Sequence, residues 1–417
     1  MKKLLHHFLE HSCVCLITAI IVGLLAFAGL NIKFLNPVAR AVKEFALSDI
    51  YYQMAWAGDD KPETSEMITL VDISRLHRRG DIAKVIEQVN TCEPAVIGID
   101  IIFEGEKDDA QGNMMLEDAI IGAQETVIAQ KLTDWKQADK SFHGRVRSYF
   151  TRDIPIMEGY SNVDGDITSQ CLRKLTVERN LDGKPVLSLA AQCAVLYNDG
   201  SIPPDKRADR LINYRHIDFP VIDADSVMAR PELIKGRIVL IGTITEEQDM
   251  HFTPLGKMPG MKVQAYSIQS LLEQHNIYVA SEGWQITLAI IVCWLTAYLQ
   301  FHVLRFIRRR KSLFGMFLSN SNLFMRFFTF GWLGLLTWLS FISYARYNLY
   351  VPMGIVLMPV ILVAEGRAIY GAIVKNNLTN NPDGFFRNSI YRDAKSTPAN
   401  EPVPETGNDT ADTDGTN

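Results

Sequence analysis

The chain has 417 residues and a formal net charge of -5, so its bulk charge offers nothing to a nucleic-acid backbone. Charged residues make up 21% and hydrophobic ones 47%, as in an ordinary globular chain, and the length suits roughly two to three domain-sized units. That average conceals a segregation into four stretches almost free of charge and a polar remainder.

A short leader, residues 1–12, carries Lys2 and Lys3. The first apolar stretch follows at 13–33 and includes CVCLITAIIVGLLAFAGL. A membrane-spanning helix needs about 20 mostly apolar residues, because it rises about 1.5 Å per residue across about 30 Å of hydrocarbon. The stretch meets that need. Ala26-Phe27-Ala28 looks like a signal-peptidase site, but the apolar run continues past it and no strong turn follows.

Residues 36–56 place Val38, Val42, Phe45, Ala46, Ile50 and Met54 at helical spacing, which predicts an amphipathic helix leaving the membrane. A run of alternating signals follows. MITLVDI (67–73) reads as a strand ending on Asp72. IAKVIEQVNTC (82–92) reads as a helix stopped by Pro94. AVIGIDIIF (95–103) reads as a second strand, carrying Asp100. Strands apolar on both faces and joined by a helix indicate a parallel βαβ unit. MLEDAIIGA (115–123) predicts a helix and TVIAQKL (126–132) a strand.

Residues 133–160 lack a clear period and are taken as an inserted loop region, and 159–167 as a turn cluster. RKLTVERNLDGKPV (173–186) predicts a β-hairpin turning at Asp182-Gly183. SLAAQCAVLY (188–197) reads as a helix, RLINYR (210–215) and RIVLIGTI (237–244) as strands, and VQAYSIQSLLEQ (263–274) as a helix. Alternating strands and helices predict an α/β domain with a mostly parallel sheet and helices on both faces. Ligands of such sheets sit beyond the carboxyl ends of the strands. Those ends carry Asp72 with Ser74, Asp100, and a loop with Asp249 and Thr253, which makes these five the candidate ligand-binding residues.

Three more apolar stretches follow at 284–304, 327–345 and 350–374. Arg305, Arg308, Arg309, Arg310, Lys311 and Arg326 mark the loop 305–326 as cytoplasmic, together with the leader. The domain at 36–280 then lies outside the cytoplasm, and both termini lie inside. The tail 375–417 is rich in Pro, Thr, Asp and Asn without apolar period and is expected to be disordered. Of six cysteines, Cys92, Cys171 and Cys193 lie outside the spans, an odd number without metal-ligand spacing. They read as buried thiols, with one disulfide left open.

Taken in order, these pieces resemble the CHASE type-2 domain, an extracytoplasmic sensor of bacterial membrane receptors. The pieces are ITLVDIS (68–74), AVIGIDIIFEGEKDD (95–109), GYSNVDGDITSQCLRKL (159–175), LSLAAQ (187–192), LINYR (211–215) and residues 236–272, where Asp249, Thr253-Pro254 and Pro259-Gly260 follow a strand. One span before the domain and three after it match the family's layout. The resemblance implies a receptor in the bacterial inner membrane that detects a small-molecule or envelope signal without a cofactor or metal. Two departures stand out. RLHRRGDIAKV (75–85) replaces a Trp- and Pro-containing stretch, and about 40 polar residues follow the last span where the family carries an output domain. The expectation is therefore a sensor that signals to a separate partner protein, with a homodimer among the assemblies it allows. A membrane scaffold is the alternative. A carboxylate-based metal enzyme built on Asp72, Asp100, Asp108 and Asp109 is disfavoured, since no nucleophile motif, metal spacing or phosphate loop accompanies them.

Overall fold

A computed structural model describes residues 2–31, 47–58, 61–107, 109–152, 154–162, 171–198, 200, 210–273, 277–309, 322–382 and 384–391. In chain order the principal helices are α1 (Lys2–Asn31), α2 (Leu47–Trp56), α3 (Arg79–Thr91), α4 (Ala110–Gly122), α5 (Leu189–Tyr197), α6 (Gly260–Leu272), α7 (Glu282–Arg309), α8 (Asn322–Tyr347) and α9 (Met353–Asn380). The principal strands are β1 (Ile68–Asp72), β2 (Val96–Ile99), β3 (Thr126–Lys136), β4 (Ser141–Val146), β5 (Met157–Tyr160), β6 (Glu178–Leu181), β7 (Lys184–Leu187), β8 (Val221–Asp223), β9 (Ile238–Gly242), β10 (Met250–Thr253) and β11 (Gly256–Pro259). The chain divides into two compact units. One holds Met1–Asn31, Ile286–Leu333 and Ile355–Asn417, and the other Ile32–Gln285 and Gly334–Gly354.

The second unit is built on a sheet of order β8-β1-β9-β2-β3-β4-β6-β7, with β5 also paired to β3. Its first five strands run parallel. Antiparallel pairing enters at β3–β4 and β6–β7. The apolar runs in β1, β2 and β9 are buried along their length, which suits central parallel strands covered on both faces. Successive side chains alternate between the two faces. Ile68, Leu70, Ile238 and Leu240 join a core under α5 and α6, while Val71, Val239 and Ile241 join another under α3 and α4.

Local signals explain most boundaries. Ile82, Val85, Ile86 and Val89 form the buried face of α3, as their spacing predicts. Asp109 and Ser188 cap α4 and α5 by accepting from Gly112 N and Ala191 N. The β6–β7 turn sets Asp182 at φ 49° and Gly183 at φ 79°, the left-handed pair that an Asp-Gly hairpin requires.

The region 133–160 is corrected: β3 runs on to Lys136, and β4 and β5 follow. The second half of β3 leaves the core, so Thr133 to Lys136 become half-buried or exposed and apolar periodicity fades while pairing continues. The strand expected over 210–215 is reduced to Arg210–Leu211, paired with Lys174–Leu175. The predicted turn at 159–167 opens with β5, and its later part lies outside the described residues, as does the start of the predicted helix at 36–56.

Among the described residues four helical stretches are long and apolar enough to cross a membrane: His6–Phe27, Glu282–Val303, Arg326–Tyr347 and Met353–Asn380. In the first unit Trp332 Nε1 donates to Thr296 Oγ1 at 2.9 Å, and a Cβ on Gly366 would stand 2.1 Å from Thr18 Oγ1. Small residues at such a crossing let helix backbones approach. The tail expected to be disordered from 375 continues in α9 to Asn380, and Tyr391 packs at 2% exposure. Tyr391 OH lies 2.8 Å from His11 Nδ1, and Ile390 N donates to Glu10 Oε2 at 3.1 Å. Residues 392–417 lie outside the described residues.

Candidate ligand site at the carboxyl edge of the sheet

β9 lies between β1 and β2. The chain leaves β1 and β2 toward α3 and α4 on one face, and leaves β9 toward α6 on the other. Neighbouring strands whose connections part in this way leave a crevice at their carboxyl ends, the usual ligand position in such sheets. Asp72 pairs in register with Gly242, and Asp100 N donates to Ile241 O at 2.9 Å, so the two aspartates flank the end of β9. Two strand spacings separate them, about 10 Å. Both continue the alternation of Leu70 and Val96 and stand on the α6 face. Gly242 lies between them, and a Cβ there would meet Met261 Sδ at 3.0 Å and Asp100 Cβ at 3.5 Å.

The five predicted residues have different surroundings. Asp72 Oδ1 accepts from both the amide and the hydroxyl of Ser74. Ser74 Oγ in turn accepts from Ile244 N at 3.0 Å and Thr245 N at 3.4 Å, which ties the loop after β1 to the loop after β9. Asp100 is partly buried, and no hydrogen bond reaches its carboxylate among the described residues. Burial, helped by the negative charge of Asp249, pushes Asp100 up to about 7, with His251 opposing. Asp249 Oδ2 accepts from Gly260 N at 3.1 Å, at the first residue of α6, and Oδ1 lies 3.5 Å from His251 Nε2. An acidic residue at a helix N-terminus is favoured by the helix dipole. Any side chain at 260 would clash, since a Cβ would stand 2.6 Å from Asp249 Oδ1.

Thr253 stands apart from this group. Its hydroxyl donates to Gly256 O at 2.9 Å and accepts from Leu255 N at 3.2 Å, closing the β10–β11 turn. That turn lies one strand length, about 13 Å, from Asp249. Sequence reasoning missed His251, whose only signal is its place two residues after Asp249. Nearby, burial and the Asp100 charge push the Cys193 thiol up, and Cys92 and Cys193 are both buried thiols. Among the described residues no group of three or more His, Cys, Asp or Glu side chains is arranged to hold a metal ion.

A second set of contacts ties this domain to a membrane helix. Gly334–Gly354, the last half of α8 and the following turn, belongs to the domain's own compact unit. Tyr278–Val279 pairs in parallel with Leu349–Tyr350. The hydroxyls of Tyr52 and Tyr344 share a hydrogen bond, and Tyr52 OH also reaches Asn213 Oδ1 at 3.3 Å. Asn213 N donates to Ser270 Oγ on α6 at 2.9 Å. The rings of Tyr52, Tyr214 and Tyr266 follow one another at 6.0 and 5.1 Å between centroids. Arg173 grips Asp49 at the start of α2 through Nε, at 2.9 Å to Oδ1.

The fold joins an α/β domain, whose strands β1, β9 and β2 part their connections at the carboxyl edge, to helices long and apolar enough to cross a membrane. The model of the CHASE2 domain family matches residues 18–299, more than half of the chain, and the chain belongs to that family. CHASE2 domains are extracytoplasmic sensor domains, which gives the chain a sensory role. No curated protein and no solved structure matches it.

Proposed function

We propose that this chain is a multi-pass receptor of the bacterial inner membrane, with its α/β domain in the periplasm and both termini in the cytoplasm. A small-molecule or envelope signal binds at the β1–β9–β2 edge, beside Asp72, Asp100 and Asp249. The signal moves α6, passes to α8 through Tyr52 and Tyr344, and reaches a separate partner protein on the cytoplasmic side. The observation that carries this reading is the Tyr52–Tyr344 hydrogen bond, because it joins the domain that holds the crevice to a helix able to cross a membrane. A ligand shifts such a system only through different affinities for two states, and Asp100, half-buried with no hydrogen bond to its carboxylate among the described residues, is the group whose surroundings a ligand would change most.

The test uses the full chain in cells, with a photo-crosslinking amino acid at Phe306, which is 60% exposed in the arginine-rich end of α7. The expected result is a crosslink to one partner whose yield changes when Asp100→Asn or Tyr52→Phe is introduced. A crosslink of unchanged yield in both variants favours a scaffold and overturns the relay.

A further inference from the structure

The opposite face of the sheet edge carries a different chemistry. α3 and α4 follow β1 and β2, so their N-termini emerge side by side at the carboxyl edge. Gly80 and Gly112 make this approach close: a Cβ on Gly80 would lie 3.7 Å from Gly112 Cα, and one on Gly112 would lie 3.2 Å from Gly80 N. Each helix of 13 residues brings its positive dipole end to this place.

The start of α4 is capped by Asp109, whereas the start of α3 is not. Its N-cap position is Arg78, whose side chain accepts nothing, and the amides of Arg79 and Gly80 find no acceptor among the described residues. Arginine is a poor choice for this position on both counts, since helix starts favour short oxygen-bearing side chains and negative charge. Here Arg78 and Arg79 place positive charge on a positive helix end, with Asp81 the acidic residue of the first turn. Such a local conflict in an otherwise consistent fold marks a place shaped by something other than stability.

A pocket of about 470 Å³ opens at this point, lined by His77, Arg78, Arg79, Glu106, Lys107 and Asp109. Arg79 supplies the independent observation. It is 3% exposed, lines the pocket, and is held by Asn113 Oδ1 at 2.6 Å and Gly105 O at 2.6 Å, with its ring neighbour Tyr149 at 4.9 Å. Its Nε is buried with no hydrogen-bond partner, so the guanidinium is incompletely satisfied. The acidic groups nearby are partly engaged. Asp109 caps α4 and lies 3.9 Å from Arg78, and Asp81 lies 3.5 Å from Lys84. Glu106 is the remaining acidic side chain of the lining.

We infer that this pocket binds an oxyanion, a phosphoryl or sulfuryl group carried on a small molecule, between the uncapped start of α3 and the Arg78–Arg79–Lys107 cluster. A helix N-terminus with free amides is suited to such a group, and arginine to its planar recognition. The pocket is within the usual range for small-molecule sites and larger than a bare ion needs. The site lies on the other face from Asp100, so it stands or falls apart from the acidic crevice.

The experiment measures thermal unfolding of the full chain in detergent, with sodium phosphate, sodium sulfate or glycerol 3-phosphate against sodium chloride at matched ionic strength. The expected result is a saturable rise in midpoint with at least one oxyanion, half complete below about 50 mM. Arg78→Asp supplies the missing cap and removes a cation. It should raise the midpoint in chloride and weaken the oxyanion response by about tenfold or more, the scale of a lost charge-assisted hydrogen bond. Lys184→Asp, the same charge change at the start of β7, and Asp100→Asn should both leave the response intact. An equal response in wild type and Arg78→Asp, or no saturable response to any of the three anions, overturns the inference. Loss of the response in Lys184→Asp would do the same, because it would reduce the effect to net charge.

Discussion

Asp100→Asn separates the chemistry of the acidic edge from its packing. In the folded chain Asp100 releases its proton near pH 7, held neutral first by burial and then by the charge of Asp249. Unfolded, an aspartate releases it near 3.9. Below about pH 4 both states hold the proton and the residue has no pH-dependent effect. Between about pH 4 and pH 7 the unfolded chain ionises first, so stability falls as pH rises, by about 1.4 kcal/mol per pH unit. The ceiling is therefore about 4 kcal/mol, reached above pH 7. Relaxation around a partly exposed carboxyl lowers that ceiling, and half of it still moves the midpoint of a domain of this size by about 4–8 °C. Asparagine has no proton to lose. Thermal scans of the full chain from pH 4.5 to pH 8 should show the variant gaining steadily on the wild type as pH rises, then holding a constant lead. Parallel profiles across that range would refute the argument that Asp100 is destabilised by its surroundings.

Other substitutions test the packing. Gly159→Ala on β5 would push a Cβ to 2.5 Å from Leu189 Cα and 2.8 Å from Leu189 N. Both are backbone atoms, so the cost should reach or exceed the about 1–3 kcal/mol of ordinary overpacking, read as a lower denaturation midpoint, and an unchanged midpoint would contradict the close approach of β5 and α5. Tyr52→Phe and Tyr344→Phe each remove one end of a shared hydrogen bond, so each should cost about 0.5–1.5 kcal/mol. The double variant should cost less than their sum, and strict additivity in the cycle would mean that the two hydroxyls do not interact. Gly366→Leu should separate α1 from α9, because the added side chain meets Thr18 Oγ1 and Val14 O. Limited proteolysis in detergent should then cut the chain faster than wild type.

How far the sequence was legible depended on burial. β1, β2, β9 and α3 could be read because their apolar residues repeat with the period of the element and all face the core. The four candidate membrane helices could be read because their apolar runs are long and almost free of charge. β4 and the far half of β3 were missed because a ribbon with wet faces is held by backbone pairing, which leaves little trace in side-chain polarity. The β10–β11 hairpin was missed because its strands are four residues each and its turn is closed by the Thr253 hydroxyl. Asp72, Asp100 and Asp249 were found by position at strand ends, a rule of topology. Their separate surroundings, with Asp249 capping α6 and the Asp100 carboxylate without a hydrogen bond among the described residues, depend on which face each strand turns toward α6. That choice follows from the placement of β9 between β1 and β2, and chain order alone does not reveal it.

On the proposed function, the placement of β9 makes α6 the carrier of the signal. α6 is fixed to the crevice at its first residue, where Gly260 N donates to Asp249. A helix of 13 residues is about 20 Å long and too stiff to absorb a displacement along that length. Its far half carries Tyr266, Gln269 and Ser270, all buried, which contact the segment 212–217 and Ser65. From there two hydrogen bonds, Ser270 to Asn213 and Asn213 to Tyr52, lead to the Tyr52–Tyr344 pair. A ligand that competes for Asp249, or a proton that leaves Asp100 beside it, would therefore act on one end of a rigid rod whose other end reaches α8 through Asn213 and Tyr52. α7 follows α6 directly in sequence, but residues 274–276 between them lie outside the described residues, whereas the route to α8 is made of named contacts. The Tyr52–Tyr344 cycle is thus more than a packing test. If the pair couples in stability and leaves the Phe306 crosslink unchanged while Asp100→Asn alters it, the relay runs through α7; if the pair alters both, it runs through α8; and if neither the pair nor Asp100→Asn alters the crosslink, there is no relay.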